Sequence, residues 1–311
     1  MDKSPYPGLD PDLWEVVRTL EATFSEPQET LPVDVFRARL EDMAARNPMV
    51  PPEGLETCDW HIPVAGREVR LRAYLPAEAG SDVMLYMHGG GWMLGSIEGH
   101  DQVCADLAQS TGLRVVSIDY ALAPEHRYPV ALEECLAACA ALLGGTTPIG
   151  AIRDLWIGGD SAGGNLALAC ALRLRDDGND QARGLFLVYP CTDPACDFPS
   201  YTEHADAPFL STALMHRFWR EYLGDTAPDM YAAPARADLK GLPQTVMLTA
   251  TLDPLIGDGD ALADAMDAAG VDLHYIRAEG LIHGLLRFRK AAPAAERAFQ
   301  SAASAICARL R

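Results

Sequence analysis

Five short runs, at residues 83–87, 115–118, 155–157, 185–189 and 246–249, are apolar on both faces, and helix-like stretches separate several of them. A strand without a polar side must be covered above and below, so such runs belong in the middle of a sheet with helices on both faces. The intervening helix-like stretches include residues 130–143, 165–175 and 259–269. Strands alternating with helices imply a mostly parallel sheet and an α/β fold. Residues 68–75 differ, because apolar and polar side chains alternate strictly, as on a half-exposed antiparallel edge strand. A final strand is expected over 271–276, followed by a loop and a last helix ending near Arg311.

Gly159-Asp160-Ser161-Ala162-Gly163 lies directly behind the strand-like 154–158 and ahead of the helix-like 165–175. Glycines on both sides of a serine allow the chain to turn steeply from strand to helix. The hydroxyl is then thrust out over the carboxyl edge of the sheet. Ala162 opens the helix, so its N–H has no intrahelical partner and is available to an anion.

A serine hydroxyl is a poor nucleophile unless a base takes its proton and a carboxylate orients that base. Downstream the chain offers both, in the order Ser161, Asp253, His283. Asp253 follows the strand at 246–249, and His283 lies in a glycine-flanked segment past the last strand. Loops at the carboxyl ends of parallel strands share one edge, where these three side chains can converge. Competing groups have ordinary explanations: Asp258 and Asp260 sit at a helix start, where capping accounts for them. His274 falls inside the last strand and His216 inside an apolar segment.

His88-Gly89-Gly90-Gly91-Trp92 follows the strand at 83–87. Consecutive glycines let bare backbone approach a substrate and turn its N–H groups inward. Such donors stabilise the negative charge that builds on a carbonyl oxygen during acyl transfer. Alone, this could be a glycine-rich turn without a ligand; beside Ser161 it reads as the oxyanion site.

The formal charge of −19 argues against nucleic acid or anionic membrane as partner. The leading residues 1–8 lack an apolar signal core, and no stretch approaches the roughly twenty apolar residues of a membrane helix. The eight cysteines form no C-x-x-C pair and no zinc-spaced cluster, which suggests a reduced, cytoplasmic protein without structural metal. Ahead of the sheet, Asp10-Pro11 reads as a helix start, with Leu13, Val17, Leu20 and Phe24 on one face. Val33, Phe36, Leu40 and Met43 line a second helix. Together with the apolar segment around Phe209, Leu210, Met215, Phe218, Trp219 and Tyr222, they are expected to form a lid. The expected division is a cap over 1–50 and 195–232 and a core over 51–194 and 233–311.

The motifs His88–Trp92, Tyr120-Ala-Leu-Ala-Pro-Glu125, Gly159-Asp-Ser-Ala-Gly-Gly-Asn165, Asp253-Pro-Leu255 and His283-Gly284 resemble those of the hormone-sensitive-lipase-like esterases. The likeness is to the bacterial members with the GDSAG form, from about residue 57 to the end. It implies an α/β-hydrolase fold with an eight-stranded sheet under a helical cap, a carboxylic-ester hydrolase, and no cofactor. Mapped by motif, Ser161 is the nucleophile, His283 the base and Asp253 its partner. Gly90, Gly91 and Ala162 become the oxyanion donors, with His88, Gly89 and Glu125 supporting their loop. Candidate pocket residues are Trp92, Asp160, Phe209, Leu210, Leu214, Phe218 and Leu285, and short to medium acyl chains are expected. Two positions depart from the family pattern: Ala121 replaces an arginine, with loss of local salt bridging, and Leu285 replaces a phenylalanine near His283. The alternatives are an arylformamidase-like amide hydrolase and a non-catalytic small-molecule receptor. A homodimer through an exposed edge near the last strand also fits the resemblance.

Overall fold

A computed structural model describes residues 6–24, 26–179 and 181–310. The first five residues and Arg311, and with them part of the amino-terminal reading and the expected end of the last helix, lie outside the described residues. Eight strands form one sheet: β1 (Glu56–Val64), β2 (Arg67–Leu75), β3 (Val83–Met87), β4 (Arg114–Ile118), β5 (Leu155–Asp160), β6 (Ala182–Val188), β7 (Gln244–Leu252) and β8 (Leu273–Ile282). Their order is β1-β2-β4-β3-β5-β6-β7-β8. The first two pairings are antiparallel and all those from β4 onward are parallel.

The helices are α1 (Trp14–Thr23), α2 (Val33–Arg46), α3 (Ile97–Thr111), α4 (Val130–Leu143), α5 (Ala162–Asp176), α6 (Ser200–Glu203), α7 (Thr212–Leu223), α8 (Ile256–Ala268), α9 (Leu285–Phe288) and α10 (Pro293–Arg309). The apolar runs behave as their composition demands. Every residue of β3 and β5 is buried, and Val115 to Ile118 of β4 are too. One apolar cluster includes Leu85, Ile157, Leu166 and Leu187. A second, including Met84, Trp156, Phe186 and Phe299, takes the alternate strand residues. Alternation within each strand thus feeds two helical layers.

Three expectations change. The segment at 68–75 is antiparallel but is not the edge: β1 covers it in full register from Glu56↔Leu75 to Val64↔Arg67. The burial of β1 alternates between exposed and partly covered, so its weak apolar content hid it. The last strand runs on to Ile282, because polar Arg277 and Glu279 alternate with buried Ala278 and Leu281 instead of ending the strand. Asp258 is not a cap; it is buried, and one carboxylate oxygen accepts from both Thr192 N and Thr192 Oγ1 while the other accepts from Tyr201. Asp260 accepts from the Tyr275 hydroxyl.

At the amino end, Asp10 caps as expected by accepting from Asp12 N, and Leu13, Val17, Leu20 and Phe24 are all buried. Asp10 N also donates to Gly280 O at 2.9 Å, tying this segment to the end of β8. In α2, Phe36 is buried while Val33, Leu40 and Met43 pack in its company. Among the described residues, no helix is long and apolar enough to cross a membrane.

Candidate active site

Between the last residue of β5 and the first of α5 stands Ser161, with φ 58° and ψ −120°. A non-glycine residue held in such a region costs about 1–3 kcal/mol, so the surroundings must impose it. Ser161 N donates to Val188 O at 2.8 Å, and Asn165 N donates to Ser161 O at 3.0 Å. Asn165 also ties the neighbouring backbone, its Nδ2 donating to the carbonyls of Cys191 and Ala232, both at 3.0 Å. Gly163 is where the turn admits no side chain. A Cβ there would sit 2.0 Å from Met87 O and 2.7 Å from His88 O, so α5 could not begin this close to the end of β3.

Asp253 follows β7 and His283 follows β8, at the same sheet edge as Ser161 because β5 to β8 are parallel. Asp253 is fully buried, and its Oδ1 accepts from Leu255 N at 2.9 Å. Its Oδ2 lies 2.6 Å from His283 Nδ1. A carboxylate at that nitrogen keeps the proton on Nδ1 and leaves Nε2 as the ring's basic site. The imidazole is further held by Tyr189, with ring centroids 4.2 Å apart. His283 and Ser161 line one cavity. His216 and His274 lie apart from it, exposed on α7 and β8.

The glycine loop is pinned from beneath. Gly89 N and the Tyr86 hydroxyl both donate to Asp160 Oδ1, at 3.0 and 2.8 Å. Burial alone would raise the Asp160 pKa, but His100 beside it and the Tyr86 hydrogen bond outweigh burial and hold it at about 2. The His88 ring stacks on Tyr120 with centroids 4.3 Å apart, and Tyr120 donates to His88 O at 2.7 Å. Burial, assisted by the neighbouring His100, pushes His88 down to about 4, so it is neutral at physiological pH. Among the described residues, the amides of Gly90 and Gly91 donate to no protein group. With Ala162 N in the first turn of α5, they are backbone donors left for an incoming atom.

Glu125 reaches the loop through Arg37, which sequence reasoning missed. Arg37 makes a two-pronged pair with Glu125, both contacts 2.8 Å, and donates to Met93 O and Ala123 O. Nor is salt bridging at Ala121 simply absent. Buried Glu134 accepts from Ala121 N at 2.6 Å and pairs with Arg67 of β2 at 2.7 Å.

Of the candidate pocket residues, Asp160, Phe209, Leu210, Leu214 and Phe218 line the cavity with Ser161, His283 and the three glycines. Trp92 and Leu285 do not. Trp92 is fully buried and stacks on Tyr222 at 4.1 Å, with Trp219 at 4.4 Å, fastening the glycine loop to α7. Leu285 is buried in the second apolar cluster, with Met84, Trp156 and Phe299. Phe24, Gln28, Phe36 and Leu40 from the amino-terminal segment also line it, as does Arg287. Phe24 and Phe36 carried a visible signal, the apolar stripes of α1 and α2. Arg287 carried only its spacing, one helical turn beyond His283.

Three comparisons bear on this arrangement. The family described as having the alpha/beta hydrolase fold matches residues 84–287. The carboxylesterase NlhH of Mycobacterium tuberculosis is 34% identical over 94% of this chain and 93% of its own length. An ethyl acetate hydrolase of Pseudomonas putida is 31% identical over 90% of this chain and 92% of its own. Among solved structures, a thermostable esterase from Pseudomonas putida superposes with a TM-score of 0.92 at 32% identity, covering 99% of both chains.

Proposed function

The chain belongs to the hormone-sensitive-lipase-like carboxylesterases of the α/β-hydrolase fold, and from that premise we propose that it cleaves short- to medium-chain esters through Ser161, His283 and Asp253. The observation that carries the proposal is the 2.6 Å contact between Asp253 and His283 in a cavity that Ser161 also lines. In the first half-reaction Ser161 Oγ attacks the ester carbonyl carbon while His283 Nε2 takes the hydroxyl proton. The negative charge on the carbonyl oxygen rests on the N–H groups of Gly90, Gly91 and Ala162. Collapse of the tetrahedral adduct breaks the bond to the alkoxy oxygen, which leaves with the proton from His283. Water then attacks the acyl-serine, with His283 again as base, and the acid is released.

The short-chain preference is supported by how the cavity is roofed. The described residues of segments 1–50 and 195–232 act as a two-part cap: Phe24 and Phe36 come from the first, Leu214 and Phe218 from the second. About 60 Å³ is open to the centre of a water-sized sphere. At roughly 10–15 Å³ of such space for each water, that is room for about four to six water-sized groups, the scale of a short to medium acyl chain. No disulfide joins the eight cysteines, which suits a reducing cytoplasm, where disulfides rarely persist. The free side of edge strand β8 offers a surface for a homodimer.

A fluorophosphonate probe followed by peptide mass mapping tests the nucleophile. Labelling at Ser161, lost in Ser161→Ala together with hydrolysis of p-nitrophenyl butyrate, is the expected result. A Ser161→Ala protein that keeps most of its turnover rejects the assignment. Faster turnover of N-formylkynurenine than of any ester would instead favour amide hydrolysis.

A further inference from the structure

One turn of α9 beyond His283, Arg287 lines the cavity that holds Ser161 and His283, and also the adjoining one bounded by Arg37, Leu40, Ser96 and His100. The acyl transfer described above makes no use of a cation there. Among the described residues, no carboxylate pairs with the Arg287 guanidinium and no hydrogen bond reaches it. The Phe209 ring lies 5.8 Å from its guanidinium carbon. Arg289, two residues on, shows the contrast, since it pairs with Asp106 and Glu296.

The negative groups around Arg287 are already committed or displaced. Asp160 lines the same cavity, but its carboxylate serves Tyr86, Gly89 and the facing His100. Glu41 borders the adjoining cavity from the exposed side of α2. Burial lowers the Arg287 pKa, only partly offset by Asp160 and Tyr189. An arginine nevertheless remains charged at any physiological pH. A half-buried cation without an anionic partner is expensive to maintain, and a substrate carboxylate would relieve it through two parallel N–H···O bonds.

We propose that Arg287 is a specificity residue that binds a second, ionised carboxylate carried by the ester substrate. The preferred class is therefore esters with a free carboxylate a few bonds from the scissile bond, over neutral esters of the same shape. This inference rests on the ester-hydrolase reading of the same cavity. The remaining surface cannot supply the preference, because a net charge of −19 repels anions. Arg37, which borders the adjoining cavity, is committed to Glu125 and the carbonyls of Met93 and Ala123, so selectivity for the carboxylate resides in Arg287 and disappears with it.

Two substrate pairs isolate charge from shape: monoethyl succinate against ethyl levulinate, and acetoxyacetate against acetoxyacetone. In each pair a carboxylate oxygen is replaced by methyl. The expected kcat/KM ratio, carboxylate over ketone, is about tenfold or more in at least one pair. Arg287→Gln should bring that ratio to one or below, and Arg287→Lys should retain part of it. Ratios at or below one in both pairs in the wild type, or a ratio unchanged in Arg287→Gln, overturn the inference. Calorimetric titration of Ser161→Ala with monoethyl succinate, with and without Arg287→Gln, reads the same contact without turnover. About tenfold weaker binding in the double variant is expected, and equal binding counts against Arg287. Loss of all ester turnover on Ser161→Ala with no carboxylate preference in the wild type would reject this inference while leaving the nucleophile in place.

Discussion

The ring of Phe218 occupies the space into which a side chain at Gly91 would project: a Cβ built at Gly91 falls 2.1 Å from Phe218 Cγ. Helix α7 therefore presses an aromatic ring onto the backbone of the glycine loop. Gly91 also sits at φ 61°, where an L side chain is strained in any case. Gly91→Ala should displace the loop and reduce kcat by about 10²–10³, the usual effect of losing one oxyanion donor. Adding Phe218→Ala relieves the clash but not the strained φ, so partial recovery is expected. Steady-state kinetics of the single and double variants check this, and full activity in Gly91→Ala would contradict it.

The 2.6 Å contact from Asp253 to His283 predicts an orienting role. Asp253→Asn preserves shape but presents an amide to Nδ1, favouring the wrong tautomer. A loss of about 10⁴ in kcat, with KM little changed, is expected by analogy with the serine-protease case that the general triad argument describes. A loss below about tenfold would show that His283 is oriented by something else.

Phe218 and Leu214 also line the cavity that Ser161 and His283 share, which the proposed function assigns to the acyl chain. Phe218→Ala should raise kcat/KM for p-nitrophenyl octanoate relative to butyrate by about tenfold, the scale of a few methylene groups gaining room. Truncating this buried ring should lower stability by about 3–5 kcal/mol, so a melting curve belongs with the assay. An unchanged chain-length profile in a folded variant would place the acyl group elsewhere.

Burial pushes the Asp258 carboxyl from 3.8 up to about 6, despite its hydrogen bonds from Thr192 and Tyr201. Between those two values the folded protein holds a proton that the unfolded chain has released. Stability from this group is thus greatest below about pH 4 and falls as pH rises to about 6. The penalty above that window is roughly 3 kcal/mol. His88, pushed down to about 4, acts with the opposite sign over the same range, its contribution being lost on acidification. The informative quantity is therefore the difference between wild type and Asp258→Asn, in urea unfolding at about pH 4 and pH 7. That difference should move in the variant's favour by up to roughly 3 kcal/mol on going to neutral pH. A difference independent of pH would mean that Asp258 titrates normally.

Much of the sheet was legible because doubly buried strands leave an unmistakable trace. The run at 83–87 coincides with β3, and 130–143 coincides with α4. β1 escaped because an edge strand half open to water needs no continuous apolar face, and α3 was passed over although Ser96 caps it. The pairing of Trp92 with Tyr222 was illegible for another reason. A tryptophan after three glycines signals bulk near a loop, but not which side of the loop that bulk will face.

The order of the chain alone decided the chemical inventory: a serine at a strand-to-helix turn, a carboxylate and an imidazole after later strands, and bare amides after an earlier one. Local periodicity and glycine stereochemistry suffice for that, since they act over a few residues. Which side chains meet across 30, 67 or 88 positions of sequence was decided only by the folded chain, as Asp253–His283, Arg67–Glu134 and Arg37–Glu125 illustrate. The same holds for Arg287, whose guanidinium pairs with no carboxylate among the described residues, because that is a property of the packed surroundings and leaves no mark in the sequence.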